Sequence, residues 1–202
     1  STLSSSSAAS DVYKRQKEIR ERIGEKRFLH TLRVRDTALE LAKIHGVDQE
    51  KAEVAGFLHD CAKIRDYEKL MKAAKENKLL LTKEMLKAPQ IIHSYLGALY
   101  ARDLYGIEDE EILNAITYHT TGRANMSDLE KIIFLADYIE PMRNFDGVER
   151  ARELAKVDLD AAMYFALNNT LKFLVDHDTY IVPATVTARN FYKELNLSLI
   201  HI

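Results

Sequence analysis

The sequence is poor in the features that mark several common protein classes. It has one cysteine, Cys61, so no internal disulfide can form, and a single unpaired thiol is typical of a reducing compartment. No apolar run approaches the roughly 20 residues of a membrane-spanning helix, and no signal-like segment precedes the main domain. The formal net charge of -2 provides no basic field for a nucleic-acid backbone. These absences predict a cytoplasmic protein that binds neither nucleic acid nor a membrane.

The two ends of the chain differ in character from the rest. Residues 6–16, SSAASDVYKRQ, can be encoded by a transposase-type sequencing adapter, and residues 197–202, LSLIHI, can be encoded by the reverse complement of its last part. We therefore expect residues 1–16 and 197–202 to be technical additions. Residues 17–196 are then expected to form one domain of ordinary size.

Apolar residues recur at helical spacing almost everywhere else, and the few glycines and prolines punctuate them. We find no internal repeat, no alternating strand series and no glycine-rich phosphate loop. The pattern predicts an all-α fold, a single irregular helical bundle. Caps and breakers place helical segments at residues 25–45, 48–62, 66–77, 82–87, 91–105, 108–119, 127–140, 158–175 and 185–195.

Six histidine and aspartate residues each follow an apolar run: His30, His59, Asp60, His93, His119 and Asp137. A buried histidine paired with a carbonyl, or a helix cap, explains any one of them singly. Together, four imidazoles and two carboxylates would be costly to bury separately, whereas metal ions satisfy them at once. The set therefore favours a buried metal site.

Five motifs that contain these residues resemble the HD-domain metal-dependent phosphohydrolases, and among them the bacterial YqeK group of symmetrical bis(5'-nucleosyl)-tetraphosphatases. The motifs are KRFLHTLRV, AGFLHDCAK, HSYLGA, AITYHTTG and LADYIEPMR, in that order. The resemblance covers nearly all of residues 17–196. It implies an HD-type bundle with the metal ligands on helices, and a hydrolase that cleaves diadenosine tetraphosphate into two ADP.

The chemistry of the six residues agrees with this resemblance. Histidine and carboxylate ligands without thiolate suit transition metals, iron first, with manganese, cobalt or zinc as alternatives. Six ligands are too many for one open catalytic ion, which favours two ions about 3.5–4 Å apart with a bridging hydroxide. The resemblance implies the division of ligands: His30, His59, Asp60 and Asp137 for one ion, and Asp60, His93 and His119 for the other. Asp137 could instead act as a general base.

Three basic residues are candidates for contacts with phosphate. Lys63 lies one helical turn after Asp60, so we expect its ammonium on the face of the ligands, where it would serve catalysis together with Asp60 and Asp137. Arg27 lies one turn before His30. Arg143 follows the Pro141 break, where a guanidinium could clamp a phosphate with two hydrogen bonds. Solvated surface charge is the alternative for each.

A turn and several apolar residues have weaker signals. The HTTG turn offers Thr120, Thr121 and Gly122 to a nucleotide pocket, or it is only a turn. Cys61 is expected to be a buried filler rather than a nucleophile. Core or a homodimer surface is the simplest interpretation of the apolar face of residues 158–175 and of four tyrosines: Tyr95, Tyr100, Tyr105 and Tyr118.

Two other functions compete with the symmetrical hydrolase. One is a nucleotidase or pyrophosphohydrolase of the same family that acts on another nucleotide. The other is a non-catalytic nucleotide sensor that has kept a pocket and lost its metal centre. The presence of all six candidate ligands argues against the sensor.

Overall fold

The computed structural model describes residues 16–198, so most of the two segments ascribed to sequencing adapters lies outside the described residues. Within them the chain is helical and contains no strand, and the all-α prediction is confirmed. A short 3-10 turn, Pro89–Ile91, precedes the sixth helix. The α-helices are α1 (Gln16–Ile23), α2 (Glu25–His45), α3 (Gln49–Leu58), α4 (Tyr67–Glu76), α5 (Lys83–Lys87), α6 (Ile92–Tyr105), α7 (Glu110–Tyr118), α8 (Asp128–Ile139), α9 (Val148–Val157), α10 (Leu159–Asp176) and α11 (Pro183–Ser198).

Helix α8 lies at the centre of the bundle and packs against α2, α3, α7, α9 and α10. Most of its residues from Leu129 to Ile139 are buried, and most of the buried ones are apolar. A helix of this composition is stable only inside a core. Asp137 is carried by this helix, so its backbone is fixed by the packing of the whole domain.

The sequence signals for helix ends are largely borne out. Asp48 caps α3, and Ser127 forms a capping box with Glu130 at the start of α8. Gly46 ends α2 at a φ of 68°, a left-handed conformation that favours glycine. These caps fix where the ligand-bearing helices begin and end.

Two predicted helices are shorter than expected, and the difference affects three ligands. Helix α3 ends at Leu58 instead of residue 62, and α7 ends at Tyr118. The chain after α3 continues in tight turns, with the Cys61 amide donating to the Leu58 carbonyl and the Lys63 amide donating to the Asp60 carbonyl. The expectation that all ligands lie on helices is therefore wrong for His59, Asp60 and His119, which directly follow the helix ends.

Two helices were not predicted. Helix α9 begins after Gly147, which has a φ of 90° and makes no side-chain capping hydrogen bond, so the sequence carries no start signal there. Helix α1 lies at the border of the presumed adapter segment, yet it buries Ile19 completely. Among residues 16–198 there is no helix with the length and apolar character required to cross a membrane.

Candidate metal centre

Five segments of the chain bring the six predicted ligands to one place. The second turn of α2, the turn after α3, the first turn of α6, the residue after α7 and the last turns of α8 each contribute. All of these side chains are buried except that of Asp137, which is 24% exposed. Three sets of potential ligand atoms each lie within 4.8 Å of one another: those of His30, His59 and Asp60, those of His59, His119 and Asp137, and those of Asp60, His93 and His119. The first and the last of these groups share Asp60.

Asp60 stands between the two groups and turns one oxygen toward each. Its Oδ1 lies 3.1 Å from Nε2 of His93 and 3.6 Å from Nε2 of His119. Its Oδ2 lies 3.6 Å from Nε2 of His59 and 3.9 Å from Nε2 of His30. A carboxylate divided in this way could serve both groups as a shared ligand.

Several buried polar atoms at this centre have no hydrogen-bond partner. They are Nε2 of His30, Nε2 of His59 and Oδ1 of Asp60. Nε2 of His93 also faces Nε2 of His119 at 3.2 Å. A buried polar atom without a partner costs about 1–3 kcal/mol, and cations among these lone pairs would remove that cost. The residues present therefore fit a metal centre.

Three of the four imidazoles are oriented by the main chain. In each case Nδ1–H donates to the carbonyl of the residue three positions earlier, at 2.6–2.7 Å: His59 to Gly56, His93 to Gln90 and His119 to Ile116. This contact leaves the Nε2 lone pair facing the centre, as metal ligation requires. Burial lowers the pKa of both His59 and His93 to about 4, so both imidazoles are neutral at pH 7.

The fourth imidazole, that of His30, is oriented by a residue that the sequence reasoning missed. Its Nδ1 lies 3.1 Å from Oε1 of Glu140, a carboxylate only 3% exposed. The other oxygen of Glu140 accepts hydrogen bonds from Nε of Arg33 at 2.6 Å and from the Met142 amide at 2.9 Å. No local sequence signal could have found it, because Glu140 follows the end of α8 and lies 110 positions from His30 in the sequence.

Both aspartates of the centre are ionised. Burial raises the pKa of Asp60, but His59, His119 and His93 outweigh it and hold that pKa well below its usual value. Burial also raises the pKa of Asp137, but His30, whose Nε2 lies 3.0 Å from Oδ1, and the charge of Arg143 outweigh burial and hold that pKa below its usual value. A general base works best with a pKa near the working pH, so this shift favours the ligand role of Asp137.

The three predicted cations all contact the centre. Nζ of Lys63 lies 3.1 Å from Nε2 of His93 and 3.9 Å from Oδ1 of Asp60, but a turn rather than a helix brings it there. Burial lowers the pKa of Lys63, and the nearby carboxylates offset part of that shift. Nη1 of Arg27 lies 2.9 Å from Oδ2 of Asp60, and Nη2 of Arg143 lies 2.5 Å from Oδ1 of Asp137.

A cavity of about 810 Å³ opens beside the centre. It is lined by His119, Thr120 and Asp137 and also by aromatic residues of α8, α10 and the loop between α8 and α9. The threonine hydroxyl lies 3.1 Å from Nε2 of His119. The cavity thus connects the ligands with an apolar surface large enough for a base and ribose.

Two residues of the HTTG turn do not line this cavity. Thr121 is 2% exposed and its hydroxyl donates to the Gly122 carbonyl. Gly122 has a φ of 64°, and a side chain there would meet Leu167 at 3.3 Å. The geometry therefore favours a turn role for these two, while Thr120 alone faces the site.

Cys61 and the four tyrosines have structural surroundings. Burial raises the pKa of the Cys61 thiol to about 12, and its Sγ lies 3.5 Å from the Gly97 carbonyl oxygen, so it is a poor nucleophile. The tyrosines lie in the core or pack against it: Tyr95, Tyr100, Tyr105 and Tyr118.

Comparison with known proteins places this architecture in a family. The HD domain profile matches residues 27–142. The chain is 46% identical to the symmetrical bis(5'-nucleosyl)-tetraphosphatase of Halalkalibacterium halodurans, over 85% of this chain and 91% of that protein, and 39% identical to the one of Bacillus subtilis, over 86% and 92%. A crystal structure of a predicted HD superfamily hydrolase involved in NAD metabolism, from Clostridium acetobutylicum, superposes with a TM-score of 0.85 at 42% identity, covering 90% of this chain and 96% of that one. The chain therefore belongs to the HD domain family.

Proposed function

We propose that the chain is a symmetrical bis(5'-nucleosyl)-tetraphosphatase, which hydrolyses a dinucleoside tetraphosphate to two nucleoside diphosphates. The observation that carries the proposal is the pair of ligand groups that share Asp60 at the mouth of a cavity. Phosphohydrolases commonly use two metal ions in this way. Two relatives that bear this name, 46% and 39% identical to the chain over most of their lengths, support the choice of substrate.

The proposed centre holds two divalent transition-metal ions, with iron as the first candidate and manganese, cobalt or zinc as alternatives. One would be held by the group around His30, His59, Asp60 and Asp137, and the other by Asp60, His93 and His119. When bound, the ions supply Lewis-acid chemistry: they activate water and withdraw charge from the phosphoryl oxygens.

The side chains around the centre position the polyphosphate. Lys63 is mostly buried, so its ammonium is poorly hydrated and interacts strongly with an anion. Arg143, which lines the cavity, can turn its planar fork toward phosphate oxygens, although it contacts Asp137 in the free protein. Arg27 contacts Asp60 and so helps to hold the shared ligand in place.

The aromatic lining of the cavity is the proposed binding site of one nucleoside. Tyr138, Phe145 and Phe173 line it, and aromatic faces provide stacking for a base. Asn169 and Thr170 add polar groups for the ribose or the base edge. With one nucleoside seated there, the metal centre lies next to the phosphates, and Lys63 and Arg143 can hold the middle of the chain.

The remaining proposals concern the cellular location and the partners of the protein. A cytoplasmic location suits both a nucleotide substrate and a chain whose one cysteine is buried. A homodimer stays a prediction. Nucleic acid and membranes are not proposed as partners, because the net charge is only -2.

The test is the identity of the products. Manganese-loaded protein is incubated with diadenosine tetraphosphate in oxygen-18 water. The products are then separated, and mass spectrometry identifies them and the position of the label. We expect ADP alone, with the label in an ADP phosphate. Formation of ATP and AMP would contradict symmetrical cleavage, and turnover only of other nucleotides in a parallel panel would indicate another member of the family. Binding without turnover of any nucleotide would indicate a sensor.

A further inference from the structure

His30 differs from the other three histidines in its position on a helix. His59, His93 and His119 lie at helix ends and donate Nδ1–H to a main-chain carbonyl. His30 lies inside α2, where the carbonyls of the preceding turn accept the hydrogen bonds of the helix itself. Its Nδ1 therefore requires a side chain as partner, and Glu140 provides it at 3.1 Å.

The imidazole of His30 lies between two carboxylates, one at each nitrogen. Oε1 of Glu140 faces Nδ1 at 3.1 Å, and Oδ1 of Asp137 faces Nε2 at 3.0 Å. A neutral imidazole has one proton, which can reside on either nitrogen. Only the form with the proton on Nδ1 has a lone pair on Nε2 for an ion.

The cations around the two carboxylates favour that form. Arg33 donates to Oε2 of Glu140, and Nε of Arg143 lies 3.9 Å from Oε1, too far for a hydrogen bond, so Oε1 remains available to the imidazole. Arg143 instead donates to Oδ1 of Asp137, the same atom that faces Nε2. Asp137 is therefore the weaker competitor for the proton of His30.

We propose that Glu140 is a positioning residue that fixes the proton of His30 on Nδ1 and thereby presents Nε2 as a ligand beside Asp137. It is well suited to this role because it is 3% exposed and its second oxygen is held by Arg33 and the Met142 amide. Such partners of metal-bound histidines commonly change metal affinity by about 10- to 100-fold when they are replaced. The inference rests on the metal centre of the proposed function and not on the nucleotide that is cleaved.

The decisive variant is Glu140→Gln. Arg33 and the Met142 amide both require an acceptor, so the carbonyl oxygen of the new amide is expected to face them and its NH₂ group to face His30. An NH₂ donor at Nδ1 favours the proton on Nε2, which removes the lone pair for the ion. Manganese binding to the metal-free protein, measured by calorimetry without nucleotide, is expected to weaken about 10- to 100-fold for the same ion that His30→Ala removes.

The matched control is Arg33→Met, which breaks the same ion pair and leaves the contact between Glu140 and His30. A purely structural Glu140 predicts that both variants lose metal and thermal stability equally, whereas the positioning role predicts that Arg33→Met binds manganese nearly as the unaltered protein does. Equal weakening in the two variants, or unchanged binding in Glu140→Gln, would overturn the proposal.

A second readout uses the unaltered protein and so does not depend on how a variant folds. Long-range proton–nitrogen spectra of metal-free protein with nitrogen-15 histidine distinguish the two neutral forms of the ring. We expect the proton of His30 on Nδ1, and on Nε2 in Glu140→Gln. A proton on Nε2 in the unaltered protein would overturn the proposal. Because no nucleotide is present, failure to cleave diadenosine tetraphosphate would leave both results interpretable.

Discussion

The two ligand groups that share Asp60 are supported in different ways. In the group with His93 and His119, the main chain orients both imidazoles, and no ligand is more than 3% exposed. In the group with His30, to which the proposal adds Asp137, the main chain orients only His59, side chains contact His30 and Asp137, and Asp137 opens to the cavity. A main-chain carbonyl that orients an imidazole cannot be removed by substituting its residue. A side chain that orients one, such as Glu140, can be removed in this way. We therefore expect the second group to be the one that substitutions tune.

Loss of the shared ligand should have the largest effect. Asp60→Ala removes an oxygen from both groups, so we expect neither ion to be retained and hydrolysis of diadenosine tetraphosphate to be abolished. Metal analysis and product formation measure the two effects. The control is Asp103→Ala, which removes an exposed aspartate that pairs with its neighbour Arg102. Near-normal turnover in Asp60→Ala would show that the two groups do not form one centre.

Removing a basic side chain that is not a metal ligand should separate catalysis from metal binding. Lys63→Ala is expected to raise the barrier to hydrolysis by about 2–4 kcal/mol, as for other preorganised electrostatic groups, with the metal content unchanged. The exposed Lys69→Ala serves as control. If Lys63→Ala lost its metal instead, the lysine would support the His93 group and would not serve the substrate.

The main-chain carbonyls that orient the histidines can be displaced only by a shift of the backbone. Glycine substitutions test how closely that backbone is packed. A side chain at Gly56, whose carbonyl orients His59, would lie 3.0 Å from Cα of Arg35 in α2. Gly56→Ala should therefore lower the free energy of unfolding by about 1–3 kcal/mol through overpacking. At Gly97 the nearest contact would be an ordinary 3.4 Å, so Gly97→Ala should be tolerated much better. Denaturant unfolding compares the two, and equal stability would contradict the close packing of α2 on α3.

Acidification should gradually lower the free energy of unfolding of the metal-free protein. The pKa of His59 and of His93 is about 4 in the folded chain, against an ordinary value of about 6.5 when unfolded. The unfolded chain thus binds more protons between these values, so this stability is complete above pH 6.5 and is lost as the pH falls toward 4. Each histidine contributes up to about 1.4 kcal/mol per pH unit. Denaturant midpoints at several pH values measure it, and stability that rises on acidification would contradict neutral, buried imidazoles.

Much of the fold and of the ligand set could be predicted from the sequence, because both leave local signals. Caps such as Asp48 and Ser127 mark helix starts, and the apolar run before each ligand indicates burial. The all-α fold and the family are confirmed. The structure also brings all six predicted ligands together.

The remainder depends on tertiary contacts that leave no local pattern. Glu140 meets His30 across more than 100 residues of sequence, and its role follows only from the packing of α8 on α2. Phe173 was interpreted as part of an apolar face, whereas the packing of α10 on α8 places it at the cavity. No capping side chain in the sequence marks the start of helix α9.

The central claim is that the two groups hold two ions, and a metal count on the unaltered protein tests it most directly. The protein is loaded with manganese, freed of unbound metal by gel filtration and assayed for metal per chain alongside hydrolysis of diadenosine tetraphosphate. We predict two ions per chain in fully active protein. Full activity with a single ion per chain would contradict the account.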